Sequence, residues 1–580
     1  MSKYNIDFDV IEPLDLESLD KSCSSNTDNY SPFHIKNIQY YHPIYSLFKD
    51  GKNVNLENPV SLNHPYKIYD CQNVYSLQSK EPIQKSIFTK FAPLIDPLKF
   101  LIGKYKDVYD KIRRLPSTNS DSEYHEKLTS IHNASYVDNF FCYLSGQLVS
   151  SHNIIHGLEY YGSFLGIQEK YRMNIADDYD YLIESDHFNE NKGKLYEIDE
   201  DNEEENNVLF AGNSRSNRGK LNIHNDTVIS TISLGQDIQD VGNDSMECLE
   251  EFEVDNFEES EMKLENIDDD ENSELNYSDE ENDENEENEE NDETEENEEN
   301  VENEENEENE ENDENDEDES TSFEPDPVLN AYFYNFPVQV ICQEKCDGTL
   351  DELFSKKILD LDTSASALFQ VIMTLLIYQK VYHFTHNDLH TQNIMYINTD
   401  IEYICYMYKK KYYRVPTYGR IFKIIDFGRA IYRFNGHLFC SDSFSNGGDG
   451  HTQYNCEPFL DEKKPRIDPN YSFDICRLGC SIYDYILDIE DELNRNTEKN
   501  ALEATIIRWV SDDQDKNVLY KKSGEERYPN FKLYKMITRT VHRHLPEEQL
   551  KYSYFSQFEC KKKEIKGISV IDIDGLPEYI

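Results

Sequence analysis

One stretch constrains this chain before anything else is considered. From Glu281 to Glu311 the sequence repeats Glu-Glu-Asn with a period of three, which matches neither a helix nor a strand. Residues 251–320 hold forty acids and one base, Lys263, so −39 of the formal charge of −61 sits there. Dense like charge repels itself, and so few apolar side chains cannot offset the entropy lost on ordering. Residues 189–325 are therefore expected to form a disordered acidic insertion, and the fold has to be assembled from the segments on either side of it. The insertion reads as a solvated spacer or as an arm that docks a basic partner, and its composition favours the spacer. No D-x-[DN]-x-[DN]-G spacing marks an ordered Ca2+ loop within it.

The 42 Tyr and 29 Phe of the 580-residue chain, most of them outside the insertion, supply material for a sizeable core, as one two-lobed domain or two domains. The acidic balance argues against direct nucleic-acid binding, because phosphate contacts need a basic face. The longest apolar run, around Leu368–Tyr378, is interrupted by Gln370 and Thr374. It falls short of the roughly 20 residues that span a bilayer, so no membrane association is expected. The N-terminal MSKYNIDFDV carries acids and no apolar core of a secretory signal. The 12 cysteines are scattered, and the pairs Cys342/Cys346 and Cys476/Cys480 lack the partners of a zinc site. That usage suits a reducing intracellular compartment.

Local patterns place the ordered elements. Ser86–Phe91 alternates like a strand and is stopped by the prolines that follow, whereas Val137, Phe140, Phe141, Leu144 and Leu148 recur at helical spacing. Ile154–Ile167 reads as a strand pair, and Phe336–Cys342 as an extended, half-buried strand. A short helix is expected from Leu350 after the Asp347-Gly348 turn, then a longer one from near Ser364 with Leu368, Phe369, Ile372, Leu375 and Leu376 on one face.

That helix leads into His386-Asn-Asp388-Leu-His390-Thr-Gln-Asn393 and an apolar strand, Ile394–Ile397; further on, Phe422–Ile425 leads into Asp426-Phe427-Gly428. These two segments resemble the catalytic loop H-R-D-L-x-x-x-N and the metal-binding D-F-G turn of the protein kinase superfamily. Ser472-Phe-Asp474-Ile-Cys-Arg-Leu-Gly479 resembles that family's D-x-W-S-L-G helix start. The loop H-x-D-L-H-x-x-N is haspin-like. Together with the Asn/Tyr/Glu-rich composition and the phrase Ile424-Ile-Asp-Phe-Gly-Arg-Ala430, the whole is similar to serine/threonine-protein kinases of giant, mimivirus-like DNA viruses.

The resemblance implies an α+β, bilobal protein-kinase-like fold with the acidic insertion in its small lobe, and ATP with Mg2+ in the cleft. It divides the chain into an N-terminal extension (1–59), the first part of the small lobe (60–188), the insertion (189–325), the end of the small lobe and hinge (326–346), a large lobe (347–560) and a C-terminal tail (561–580). Phosphoryl transfer is chiefly positioning and electrostatics, and Mg2+ wants hard oxygen ligands. Asp426 and the amide oxygen of Asn393 are the implied metal ligands, and Asp388 the residue that orients the acceptor hydroxyl and takes its proton. Lys90 is the implied phosphate-gripping lysine, with Asp138 in place of the usual glutamate partner. Glu344 and Cys346 flank the implied adenine-binding hinge. His386, Phe427, Gly428 and Asp474 are implied structural supports. The implied activity is transfer of the γ-phosphoryl group to Ser/Thr hydroxyls of a protein substrate, inside the cell, in the host cytoplasm or associated with a virion.

The departures keep two other readings open. No G-x-G-x-x-G precedes Lys90, Asn387 replaces the loop arginine, and no A-P-E follows the D-F-G; Cys456-Glu-Pro458 stands in its place. Asn393 and Asp426 lie 33 positions apart, which suggests an extended hairpin from Tyr403–Tyr413 and Arg420–Ile425 around the Pro416–Gly419 turn. Ser445–Gly450 reads as a flexible loop in an activation or substrate segment. A pseudokinase acting as a binding module would tolerate a missing glycine loop, and a kinase of small-molecule alcohols would share the same catalytic residues.

Overall fold

The structure is a computed structural model that describes residues 6–22, 30–48, 59–117, 124–199, 329–487 and 499–580. By its contacts the chain forms two units, Met1–Gln236 with Pro327–Ile580, and Asp237–Asp326. The second unit lies outside the described residues, and so does the expected disorder of the acidic insertion from residue 200 on, whereas residues 189–199 are ordered, which corrects the expected start of the insertion. Helices and strands are both abundant in the first unit, which is an α+β arrangement.

Its principal sheet contains β1 (Ile35–Gln39), β2 (Ile87–Pro93), β3 (Tyr160–Asn174), β4 (Tyr196–Ile198) and β5 (Asn330–Glu344). The order is β1-β3-β5-β2 with β4 also paired to β5, and every recorded pairing is antiparallel. β5 is central, which explains why Phe336–Gln343 is buried on both faces instead of alternating. Its register sets Ile341 opposite Lys90. Ordered chain continues past residue 189 through β4, because Tyr196 and Ile198 are buried against this sheet.

Helix α1 (Ala134–His152) follows from local signals. The Asn133 side chain accepts from Ser135 N, and Asn153 ends the helix in the left-handed region at φ 54°. The expected strand pair at 154–167 is instead a loop followed by the single long strand β3. His156 bonds Phe422 O at 2.8 Å and the Tyr406 hydroxyl at 2.7 Å, so the chain is committed to a cross-link before it can extend. Gly157 permits the tight passage, since a Cβ there would stand 2.5 Å from Ser145 O.

After β5, α2 (Leu350–Ser355) is capped by Thr349 and α3 (Leu361–Tyr382) by Asp360 and Thr363 in a capping box. By length and composition α3 is long and apolar enough to cross a membrane, which corrects the expectation of a shorter apolar segment; 83% of its most apolar window is buried in this fold. The polar residues that interrupt it are satisfied internally. Gln370 accepts from Phe422 N at 3.0 Å, and the Thr374 hydroxyl donates to Gln370 O at 2.8 Å.

Strand β6 (Ile394–Asn398) pairs with β9 (Arg420–Ile424), while β7 (Tyr403–Tyr408) and β8 (Lys411–Pro416) form a hairpin of their own. The expected hairpin between 403–413 and 420–425 is therefore corrected. The real turn is Lys409-Lys410, both at positive φ (48° and 63°), held by bonds from their N–H groups to the Asp574 carboxylate. Helices α4 (Phe473–Ile486) and α5 (Lys532–Thr540) complete the region around the segment His386–Asn393. Among the described residues nine cysteines carry free thiols, while Cys71 is disulfide-bonded, a pairing that the scattered spacing did not announce.

Candidate active site

Three ionisable side chains from distant parts of the chain meet where β2, α1 and the turn after β9 converge. Lys90 Nζ lies 2.8 Å from Asp138 Oδ2 and 2.9 Å from Asp426 Oδ1. Burial acts against the Lys90 ammonium, yet the two carboxylates outweigh it and hold its pKa above the ordinary value. Burial raises the pKa of Asp426, and the charge of Lys90 opposes that rise. Asp138 has a second contact, because its Oδ1 accepts from the backbone N–H of Phe427 at 2.8 Å. A short carboxylate thus reaches both the lysine and the turn.

Asp426 adopts φ 60°, a left-handed conformation unusual for a residue other than Gly or Asn. The turn is held on both sides of that residue. His386 Nε2 donates to Ile425 O at 2.9 Å, and the buried Phe427 ring lies 4.6 Å from Phe141 and 5.8 Å from His386, centroid to centroid. Each such aromatic pair contributes about 0.5–1.5 kcal/mol beyond area burial. Gly428 N–H lies 3.4 Å from Asp426 Oδ1.

The segment His386–Asn393 is anchored from α4. Both Asp474 oxygens accept backbone N–H groups, from His386 and from Asn387, each at 2.9 Å. Asp474 is fully buried, and burial raises its pKa. Asn387, at φ 64°, donates to Arg429 O and accepts from the Tyr454 hydroxyl. The position that carries arginine in the resembling family is here a buried amide serving the backbone.

Asn393 Nδ2 donates to Asp388 O and to His390 Nε2, each at 3.0 Å. Its Oδ1 is buried and has no hydrogen-bond partner among the described residues. Asp388 Oδ1 accepts from the Tyr534 hydroxyl at 2.7 Å, and Arg477 Nε lies 3.9 Å from the same oxygen. Burial opposes ionisation of Asp388, but its pKa is held below the ordinary value by His390, Arg429 and Arg477. Because burial pushes His390 itself down to about 3, that ring is neutral at pH 7, and the two guanidinium groups with the Tyr534 hydrogen bond supply the effect.

Lys90, Asp138, Asp388, Asp426 and Gly428 line one cleft, with Lys127, Arg429 and Asp442 farther along it. Glu344, Cys346 and Asn393 are not among its lining residues, and Asn393 reaches it only through its bond to Asp388 O. Glu344 instead pairs with the buried Lys423 at 2.8 Å, and Lys423 also donates to Gly157 O at 2.6 Å. The Glu344 N–H is bonded to Glu159 O at 2.9 Å. Cys346 is buried, and burial pushes its thiol up to about 12. Sequence reading overlooked Tyr534 and Arg477. Arg477 offered the only signal, a cation amid the apolar residues of α4 that demands a buried counter-charge.

No known family profile matches this sequence. A stretch of 69 residues, 11% of the chain, is 45% identical to the Acanthamoeba polyphaga mimivirus protein named "Putative serine/threonine-protein kinase R301". The stretch covers 17% of that relative's length.

Proposed function

We infer that this chain is an ATP- and Mg2+-dependent protein kinase of bilobal fold that phosphorylates Ser/Thr hydroxyls. The observation that carries this reading is the meeting of Lys90, Asp138 and Asp426 in the cleft that Asp388 also lines. In such a reaction the acceptor oxygen forms a bond to Pγ, the bond from Pγ to the ADP oxygen breaks, and the acceptor proton passes to Asp388. Arg429 and Arg477 keep Asp388 ionised at neutral pH, as a proton acceptor must be. An ammonium has three donors and Lys90 commits two of them here, so one is left for a phosphate oxygen.

The donor set fits Mg2+. Asn393 Oδ1 is a buried hard oxygen without a partner, and Asp426 supplies a carboxylate. Among the described residues no group of three or more His, Cys, Asp or Glu could form an all-protein metal cage. Mg2+ does not require one, since it keeps waters and binds through one or two carboxylates plus phosphates. Asn393 and Asp426 would hold the ion, which would supply positive charge to offset that on the transferring group.

The test is a thermal shift with ATP, with and without Mg2+, followed by transfer from γ-labelled ATP to basic proteins and to small alcohols. Mg2+-dependent stabilisation and labelling of the proteins support the reading. Labelling of the alcohols alone moves the acceptor to a small molecule. A binding-only reading draws on one observation: among the described residues β2 pairs only with β5, so no strand flanks Lys90 on the other side to carry a phosphate lid. Nucleotide binding without transfer would favour it.

A further inference from the structure

Tyr534 belongs to α5 and stands 146 residues from Asp388, yet its hydroxyl is bonded to the Asp388 carboxylate. The hydroxyl also accepts from Arg477 Nε at 3.0 Å, which leaves its single proton for Asp388 Oδ1. The Tyr534 ring is held between two cations, with the Arg477 guanidinium 5.2 Å and the Arg429 guanidinium 5.4 Å from its centroid. Phe531 stacks against it at 5.1 Å. Arg429 is fixed in turn by Asp449 at 2.5 Å. Arg477 is fully buried, and neither of its η nitrogens has a hydrogen-bond partner among the described residues. Among the described residues the Tyr534 hydroxyl and the nearby Asp388 charge favour its cation.

Asp388 lines the cleft and Tyr534 does not, so the tyrosine approaches the carboxylate from behind. We propose that Tyr534 is a positioning residue for phosphoryl transfer: steadied by Arg477, it holds Asp388 Oδ1 and presents the other carboxylate oxygen to the acceptor. The motif-bearing loop holds the backbone of Asp388, through Asn393 Nδ2 on its carbonyl and His386 Nδ1 on its N–H, whereas α4 and α5 hold its carboxylate from outside the motif. This inference rests on the kinase reading above.

The experiment measures phosphate leaving γ-labelled ATP, to water and to protamine together, for the full chain and for Tyr534→Phe, Asp388→Ala and the double variant. Misplacing a reacting group costs on the order of ten- to a hundredfold. Tyr534→Phe is expected to lower kcat within that range while KM for ATP stays within about twofold, because the phenol touches the base and not the cleft. The double variant should be no slower than Asp388→Ala alone, because Tyr534 acts through Asp388. Arg477→Lys, which keeps charge but loses the Nε donor, should reproduce the kcat loss and serves if Tyr534→Phe does not fold.

An unchanged kcat in Tyr534→Phe, or losses that multiply in the double variant, overturns the proposal. A higher kcat or a lower protamine KM also overturns it, by showing that the hydroxyl blocks the acceptor's place. A wild type that releases no phosphate brings down the kinase reading and this inference with it. An active wild type with an indifferent Tyr534→Phe brings down this inference alone.

Discussion

The two sides of the cleft are built by different means. On the loop side, His386, Asp388, Asn393 and Asp426 lie within 41 positions and their geometry follows from short backbone segments. His386 bonds Ile425 O, and Asn393 bonds Asp388 O. On the sheet side, Lys90 and Asp138 come from separate elements 48 positions apart and meet only because β2 and α1 pack together. A motif can be read where local backbone sets the spacing, whereas a site made of single residues on separate elements becomes visible only once the elements have docked.

That contrast can be broken by experiment. Asp388→Ala should lower transfer from labelled ATP by about a thousandfold or more, since general base catalysis contributes roughly 10²–10⁴-fold. ATP affinity should stay within about twofold; an equal loss of affinity would mean that Asp388 itself also contacts the nucleotide. Lys90→Ala should do the reverse in kind, weakening Mg-ATP binding with a turnover loss on the order of a hundredfold. It also leaves Asp138 and Asp426 facing each other without their cation, so the melting temperature should fall. A variant that binds ATP normally would remove the sheet side from the site.

Smaller effects sharpen the comparison. Asp474→Asn keeps one acceptor oxygen where two are used, so one buried N–H of the loop loses its partner at about 1–3 kcal/mol, readable by denaturant unfolding. No change would show that the loop holds itself.

The smallest effect lies at the seam between the two sides, where His156 bonds Phe422 O and the Tyr406 hydroxyl. Burial pushes its pKa down from 6.5 to about 4. Below pH 6.5 the unfolded chain binds a proton that the folded chain refuses, so stability falls as pH drops from 6.5 toward 4 and is unaffected above that window. The stability gap between wild type and His156→Gln should therefore narrow on acidification, by at most about 1.4 kcal/mol per pH unit. A gap that widens would mean that His156 is charged in the fold.

The legible and the illegible parts of the sequence follow the same division. The strand around Lys90, the helix around Phe140 and the helix from Asp474 were all readable, because apolar periodicity and caps are local. The hairpin turn at Lys409-Lys410 was not, since two lysines at positive φ carry no glycine or asparagine signal and depend on Asp574, which lies more than 160 residues away. Glu344 was expected at the cleft, but its buried partner Lys423 sits on a strand whose pattern looks merely apolar. Tyr534 was invisible for the same reason, since nothing near it in sequence marks its contact with Asp388.

Helix α1 is secured along its whole length. Asp442 accepts from Ala134 N at 3.0 Å and pairs with Lys127 at 2.9 Å; the Tyr143 hydroxyl donates to Asn63 Oδ1 at 3.0 Å; Gln147 donates to Asn63 O at 2.9 Å. Swinging the helix outward would break the bonds of Ala134, Tyr143 and Gln147 together with the pair between Lys90 and Asp138. A component bolted at so many points is a fixture and not a lever.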